Sequence, residues 1–494
     1  MNADAKTLDR DRSLRGVPDG MLIDGEWSSA TSGRTFEVRN PATGRVIATV
    51  PEGGKEDIDR AVEAARRSFD TRVWRGMSAS ERAKILWRVA DLIDANSEEI
   101  VRAEVLDNGM PQALATWTVS LGAEAFRYFA GWVTKIHGLT SEISGPGGNF
   151  HAFTMREPIG VAGLIIPWNG PFTFACSKLS VALAAGCSCV LKPAEETPLN
   201  ALRLGKLLEE AGVPRGVVNI VTGFGKTAGA ALAAHPGVDK IGFTGSTEVG
   251  RAIIEASAGN MKKLTLELGG KSPVVVLEDA DLQKTIAGVA MGVFTNSGQI
   301  CIAGSRVYAH RSVYQSMVEG LAGAARALKV GSGLEPDTQI GPLISEKQLD
   351  RVGGLIRDGV ASGAELVAGG ERVGREGYFV QPTVLAKSPS NSRVMREEIF
   401  GPVVSVIPFD DLEAVAAAAN DTSYGLASAV WTSDVSKAHS LAKLFQAGTV
   451  WVNCQLVYDF SMPYGGYKQS GWGREYGFEG LEAYLQTKSV FVQI

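Results

Sequence analysis

Glu267 and Cys301 are the residues of this chain best suited to covalent chemistry. Cys301 closes the run Gly298-Gln299-Ile300-Cys301, and Glu267 opens Glu267-Leu268-Gly269-Gly270. A cysteine becomes a strong nucleophile once its thiolate is generated or stabilised, and release of a covalent intermediate needs a second group that activates water. One thiol and one carboxylate, each beside glycines that let backbone and ligand approach closely, can supply both steps. A cofactor-free cysteine hydrolase is the competing chemistry. It would want a histidine beside the thiol, and His137, His151, His235, His310 and His439 all fall outside the polar motifs.

Other candidates stand at the ends of short apolar runs. Residues 161–166 run into Pro167-Trp168-Asn169, and residues 188–191 into Lys192-Pro193-Ala194-Glu195. Residues 217–221 and 240–243 follow at similar spacing, with helix-like stretches at 199–211 and 227–234 between them. Runs buried on both faces and alternating with helices predict a parallel, doubly wound sheet, and such sheets bind ligands at the carboxyl ends of their strands. Lys192 and Glu195 could each hydrogen-bond a ribose hydroxyl, or form an ordinary solvated ion pair. Asn169 could donate its amide to an oxyanion, or stabilise a turn. Phe243-Thr244-Gly245-Ser246 leads into a helix-like stretch whose first amides suit a phosphate, although a plain helix cap explains it equally well. Gly223-Phe224-Gly225 begins a dinucleotide fingerprint, but the third glycine falls at Gly229, out of register with G-x-G-x-x-G. Together these residues favour a nucleotide site.

The elements that position them extend along the chain. Amphipathic helices are predicted over 58–69 and 83–93, where apolar residues recur at helical spacing among charges. After Glu267 the alternation restarts at 273–277 and 306–309, which predicts a second α/β unit with a boundary near 265–270. Residues 141–156, centred on Gly145-Pro146-Gly147-Gly148, read as a hairpin, and residues 489–494 alternate like an edge strand in want of a partner. A chain of 494 residues exceeds what one core usually serves. Its 45% hydrophobic and 21% charged content is that of a globular protein. The net charge of -5 gives no general attraction to nucleic acid or anionic lipid. Cys176, Cys187, Cys189, Cys301 and Cys454 read as reduced thiols of a cytoplasmic protein, and no metal-ligand spacing accompanies Cys187 and Cys189. The first twenty or so residues mix acids and bases with no apolar stretch for export. No run approaches the ~20 apolar residues of a membrane span.

Seven motifs in order resemble the aldehyde dehydrogenase superfamily over essentially the whole chain. They are Ile166-Pro167-Trp168-Asn169, Lys192-Pro193-Ala194-Glu195, Phe243-Thr244-Gly245-Ser246, Leu266-Glu267-Leu268-Gly269-Gly270-Lys271, Gly298-Gln299-Ile300-Cys301, Glu397-Glu398-Ile399-Phe400-Gly401-Pro402, and Pro463-Tyr464-Gly465-Gly466-Tyr467-Lys468-Gln469-Ser470-Gly471. The resemblance implies two doubly wound α/β domains, a variant Rossmann coenzyme domain (1–140 and 157–266) and a catalytic domain (267–475). A small β oligomerisation element (141–156 and 484–494) would build a homotetramer or homodimer.

It also implies that Cys301 is the nucleophile, that Asn169 and the Cys301 N–H hold the oxyanion, and that Glu267 activates water facing the same carbon. Lys178 and Glu475 correspond to a proton path. For the coenzyme, Lys192 and Glu195 match adenosine-ribose contacts, Gly245 and Ser246 pyrophosphate contacts, and Glu398 a nicotinamide-ribose contact. Ile165, Ile166, Pro167, Trp168, Gly225, Phe243, Leu268 and Phe400 complete that site. A carboxylate at Glu195 favours NAD over NADP.

The presence of Glu267 argues for hydrolysis to a carboxylic acid rather than transfer to coenzyme A. Gly170, Thr173, Ser177 and Thr295 are small, while Ile300, Ile302, Leu456, Val457, Tyr458 and Tyr464, with Phe172 and Phe294, would form an apolar wall. With no Arg or Lys among them, a medium or bulky neutral aldehyde is expected. Residues 127–132 and 448–453 resemble bacterial enzymes acting on phenylacetaldehyde and related arylalkyl aldehydes. Terpenoid aldehydes such as geranial and long-chain aliphatic aldehydes suit the same pocket. A catalytically inactive binding protein of this fold is the non-enzyme alternative, and retention of Cys301, Glu267 and Asn169 together speaks against it.

Overall fold

Successive residues of a strand point to opposite faces, so an apolar run with no alternation feeds two cores at once. In the strand Val161–Ile165, Ala162 and Leu164 enter one core while Val161 and Ile165 enter another. In the strand Pro273–Val276, Val274 and Val276 go to one side, and Val275 with the following Leu277 to the other. These two strands belong to different sheets, each covered on both faces. The computed structural model describes Leu14 and residues 16–494; the rest of the charged N-terminal stretch lies outside the described residues.

The first sheet has eight strands. Its centre is parallel, in the order Lys263–Glu267, Lys240–Thr244, Val161–Ile165, Ser188–Lys192, Val218–Ile220. Strand order reverses between Val161–Ile165 and Lys240–Thr244. In open sheets the loops leaving the strands on either side of such a reversal diverge, and the crevice between them is the usual ligand position. The two edges of the sheet depart from its parallel centre. Met21–Ile23 with Glu26–Ser28 adds antiparallel at one side, and Gly471–Trp472 at the other. Neither is preceded by a crossover helix from its neighbour, so nothing forces them parallel.

The second sheet has seven strands, in the order Glu365–Ala368, Thr383–Ala386, Val403–Phe409, Arg306–His310, Pro273–Val276, Ala427–Trp431, Thr449–Val452. Only its first pair is antiparallel. A third sheet joins Thr140–Gly145 and Gly148–Pro158, the predicted hairpin, to the C-terminal strand Leu485–Gln493. It leaves Ile143, Met155, Phe491 and Val492 exposed.

Local chemistry sets the helices that frame the crevice. Pro171 opens the helix Pro171–Ala185 at a position whose N–H would go unpaired anyway, and left-handed Gly186 closes it. Ser246 caps the helix Thr247–Ser257 by accepting the Val249 N–H at 3.3 Å. Among the described residues no helix is long and apolar enough to cross a membrane, and no group of three or more His, Cys, Asp or Glu is placed to hold a metal ion.

Candidate active site

Asn169 leaves the end of the Val161–Ile165 strand, and Cys301 follows the helix Leu282–Phe294 of the other unit. The two loops are stitched to each other. Asn169 Nδ2 donates to the Gln299 carbonyl at 2.9 Å, and Asn296 Nδ2 donates to the Asn169 carbonyl at 2.8 Å. A side-chain amide carries two hydrogens, so Asn169 keeps one for a ligand. The Cys301 loop turns sharply through Asn296, Ser297 and Gly298, all left-handed with φ of 52°, 56° and 69°. For Ser297 that conformation costs on the order of 1 kcal/mol or more. Bonds from Ser297 Oγ to the Gly341 carbonyl (2.8 Å) and from the Ile344 N–H to Gln299 Oε1 (2.9 Å) hold it.

The glycine pair after Glu267 has a steric cause. A Cβ on Gly270 would lie 2.1 Å from the Cys301 carbonyl oxygen, and one on Gly269 would lie 2.6 Å from Glu398 Oε2. Only glycines let the nucleophile loop and the Glu398 carboxyl pack on this turn. Glu398 Oε1 accepts the Gly270 N–H at 2.9 Å, and burial raises this carboxyl to about 7.

Cys301 stands at the wall of a cavity of about 750 Å³, including its open mouth. Of the predicted lining, Gly170, Thr173, Thr295, Ile300, Ile302, Leu456, Tyr458 and Tyr464 are there, with Asn169. Four expected wall residues are not. Ser177 is buried with its hydroxyl on the Phe174 carbonyl, Val457 points outward at 60% exposure, and Phe172 and Phe294 are consumed by the cores. In their place stand Met110, Leu114, Trp117, Thr118, Phe174 and Tyr476. Leu114, Trp117 and Thr118 lie at i, i+3 and i+4 of the helix Gln112–Trp132, a spacing visible in the sequence but indistinguishable there from a core-facing stripe. Trp117 meets Tyr458 edge-on at 5.7 Å, and Tyr458 stacks on Tyr476 at 6.4 Å. Among the described residues, no charged side chain and no histidine lines the cavity.

Glu267 does not line this cavity, contrary to the expectation that it shares an open space with the thiol. It ends the first sheet's Lys263–Glu267 strand and is buried against the turn carrying Gly465, whose Cβ, if present, would meet Glu267 Oε1 at 2.7 Å. Among the described residues neither carboxyl oxygen has a hydrogen-bond partner, and neither Lys263 nor Lys271 pairs with it. Burial and the neighbouring Glu475 hold this acid well above the ordinary carboxyl range, against the opposing charges of Lys178 and Arg474. Lys178 and Glu475 are themselves a buried ion pair.

The coenzyme candidates lie along the crevice of the first sheet. Lys192 Nζ contacts Glu195 Oε2 at 2.9 Å, and Glu195 Oε1 accepts the Gly225 N–H at 3.5 Å. Burial works to raise Glu195, but Lys192 outweighs it and keeps the carboxylate below its ordinary range. Lys192 is buried rather than the solvated partner that an isolated ion pair would present. A Cβ on Gly225 would meet nothing, so the surface there is open. Pro167 and Trp168 follow the buried Ile165 and Ile166, and Trp168 packs edge-on against Phe400 at 5.2 Å. Phe243 and Leu268 are buried beneath Gly245 and Ser246, Leu268 donating its N–H to the Ser470 carbonyl at 2.9 Å.

Burial pushes the Cys301 thiol up to about 12; the charges of Glu398 and Glu267 add to this, and a hydrogen bond with Tyr464 opposes it. Because the thiolate is the reactive form and stays the minor one below that value, alkylation of Cys301 by iodoacetamide in the coenzyme-free protein should rise about tenfold per pH unit from pH 6 to 9. Mass spectrometry of the labelled peptide reads the site. A plateau below pH 8 would contradict the buried, cation-free environment.

The model of the aldehyde dehydrogenase family matches residues 27–490. Aldehyde dehydrogenase family 2 member B4, mitochondrial, from Arabidopsis thaliana is 49% identical, over 95% of this chain and 87% of its own. The mitochondrial benzaldehyde dehydrogenase of Antirrhinum majus is 48% identical, over 96% and 88%. The NAD+ complex of an aldehyde dehydrogenase from Bacillus cereus superposes with a TM-score of 0.95 at 48% identity, covering 98% of this chain and 99% of that one. With the family model spanning nearly the whole sequence and the fold shared at this identity, the chain belongs to the aldehyde dehydrogenase family.

Proposed function

We propose that the protein oxidises a medium or bulky neutral aldehyde, of the arylalkyl class exemplified by phenylacetaldehyde, to its carboxylic acid with NAD. NAD-dependent aldehyde dehydrogenase activity is that of its family and of the NAD+-bound relative. The finer reading is carried by one observation: the cavity at Cys301 is walled by Trp117, Phe174, Tyr458, Tyr464 and Tyr476 without a charged group. The Antirrhinum relative is named for an aromatic aldehyde.

The residues present fit a dinucleotide. Lys192 and Glu195 would take the adenosine ribose, the capped start of the Thr247–Ser257 helix with Gly245 and Ser246 the pyrophosphate, and Glu398 the nicotinamide ribose. The ionised Glu195 would repel a 2′-phosphate, which favours NAD over NADP. Units 1–140 with 157–266 and 267–475 would serve coenzyme and chemistry respectively, and the exposed third sheet would join subunits into a dimer or tetramer.

Cys301 Sγ adds to the carbonyl carbon, and the carbonyl electron pair moves to oxygen. The free Asn169 N–H and the Cys301 backbone N–H hold that oxyanion, a donor set whose loss costs roughly 10² to 10³ in rate. NAD, when bound, would supply the hydride acceptor, and Cys301 would then carry the acyl group as a thioester. Glu267, once ionised, takes the proton from the attacking water. Its place outside the cavity requires the side chain to swing past Gly465 toward the acyl carbon. The Lys178–Glu475 pair would pass that proton onward.

A steady-state panel of aryl, terpenoid, alkyl and carboxylate-bearing aldehydes tests the substrate class. Aryl-substituted neutral aldehydes are expected to exceed semialdehydes at least tenfold in kcat/KM, because a buried carboxylate would find no partner. Preference for a semialdehyde would refute this reading. Preference for geranial or a long alkyl aldehyde would keep the apolar pocket and reject the aryl assignment.

A further inference from the structure

A catalytic thiolate is normally supported by a histidinium, a lysine or arginine, or a helix N-terminus. Among the described residues, no histidine, lysine or arginine lines the cavity at Cys301, and Cys301 opens no helix. Among the described residues, one side chain is hydrogen-bonded to its sulfur: the Tyr464 hydroxyl, at 3.4 Å. We propose that Tyr464 is a catalytic residue, the hydrogen-bond donor that stabilises the Cys301 sulfur as thiolate before it attacks the aldehyde. This goes beyond a place in the apolar wall, and it rests on the reading of Cys301 as the nucleophile.

The hydroxyl is held for the purpose. The Tyr464 N–H donates to the Glu475 carbonyl at 2.6 Å and the Glu475 N–H returns a bond of 2.7 Å, an isolated antiparallel bridge that fixes the backbone. The ring packs against Tyr476 at 5.5 Å. Burial, with the nearby Cys301 and Glu267, holds the phenol well above its ordinary ionisation range, so it keeps its proton. Between a neutral thiol and a phenol either atom can donate. Once the sulfur is ionised only the O–H can, and the bond becomes charge-assisted. Phenylalanine at this position would fill the same wall and remove the one side-chain donor to the sulfur found among the described residues.

The expected size follows from two opposing effects. A hydrogen bond to a charged acceptor holds roughly ten to a hundred times more of the sulfur as thiolate. Each thiolate so stabilised is less nucleophilic, with a Brønsted coefficient of about 0.4–0.5, which returns nearly half of that gain on a logarithmic scale. Tyr464→Phe should therefore slow Cys301 alkylation by roughly three- to fifteenfold at any fixed pH from 7 to 9. The KM for an apolar aldehyde should move less than twofold, because the ring remains.

The test is the iodoacetamide rate of full-length wild type and Tyr464→Phe against pH, with the modified peptide identified by mass spectrometry. A slowing of threefold or more at unchanged KM supports the assignment. An unchanged or faster rate, with label still on Cys301, overturns it and leaves the nucleophile reading intact. Wild-type turnover in Cys301→Ala would instead overturn the nucleophile reading.

Discussion

Cys301→Ala is expected to lower kcat by on the order of 10⁴ to 10⁶, the scale on which a covalent mechanism fails when its nucleophile is removed. The loss should be confined to chemistry. Cys301 contributes its thiol to the cavity wall, whereas the coenzyme candidates Lys192, Glu195 and Ser246 sit along the first sheet. NAD binding, followed by quenching of intrinsic fluorescence, should change by less than about threefold. The fold should tolerate the change, because Cys301 is only half-buried and, among the described residues, its one side-chain hydrogen bond is to Tyr464. The other four cysteines cannot replace it. Cys176, Cys187 and Cys189 are buried, and Cys454 lies outside the cavity. Turnover within tenfold of wild type would refute covalent catalysis at this residue.

Glu267→Gln separates the two halves of the reaction. In the proposed mechanism acylation uses Cys301 and Asn169, so a single turnover should leave an acyl adduct on Cys301. Deacylation needs a base, and a positioned base contributes roughly 10² to 10⁴. Steady-state turnover should fall by that factor while intact-mass analysis shows one acyl group per subunit. A variant that accumulates no adduct, or turns over normally at neutral pH, would exclude the base role. The wild-type pH dependence follows from the same group. An acid held above its ordinary range ionises at higher pH than a free carboxyl, so the ionised base accumulates as pH rises past the usual carboxyl range. Deacylation-limited turnover should therefore increase with pH, and Glu267→Gln should remove that dependence.

The motifs of the proposed catalytic and coenzyme sites each carry a local signature: glycines beside Glu267 and Cys301, polar residues at the ends of apolar strands, and a serine at a helix start. The strands 161–165, 188–192 and 273–276 were legible for a simpler reason. Chain buried on both faces tolerates almost no polar residue, so its outline survives in one dimension. The antiparallel edges of the first sheet were not, since Met21–Ile23 and Gly471–Trp472 are three and two residues long and lie far from their partners in sequence. A strand that short has no periodicity to read.

The amino-acid order by itself determined the chemistry available to this protein: a thiol, an oxyanion donor, a carboxyl base, and a sheet whose strand ends suit a dinucleotide. Tertiary structure alone decided how those groups are tuned and what they admit. Phe172 and Phe294 were claimed by the cores while Trp117 and Tyr476 were released to the pocket, and Tyr464 turned its hydroxyl onto Cys301. Residue type and spacing record what a side chain can do. Which face of a helix or turn opens on a cavity depends on packing against elements hundreds of residues away, and local sequence carries no trace of it.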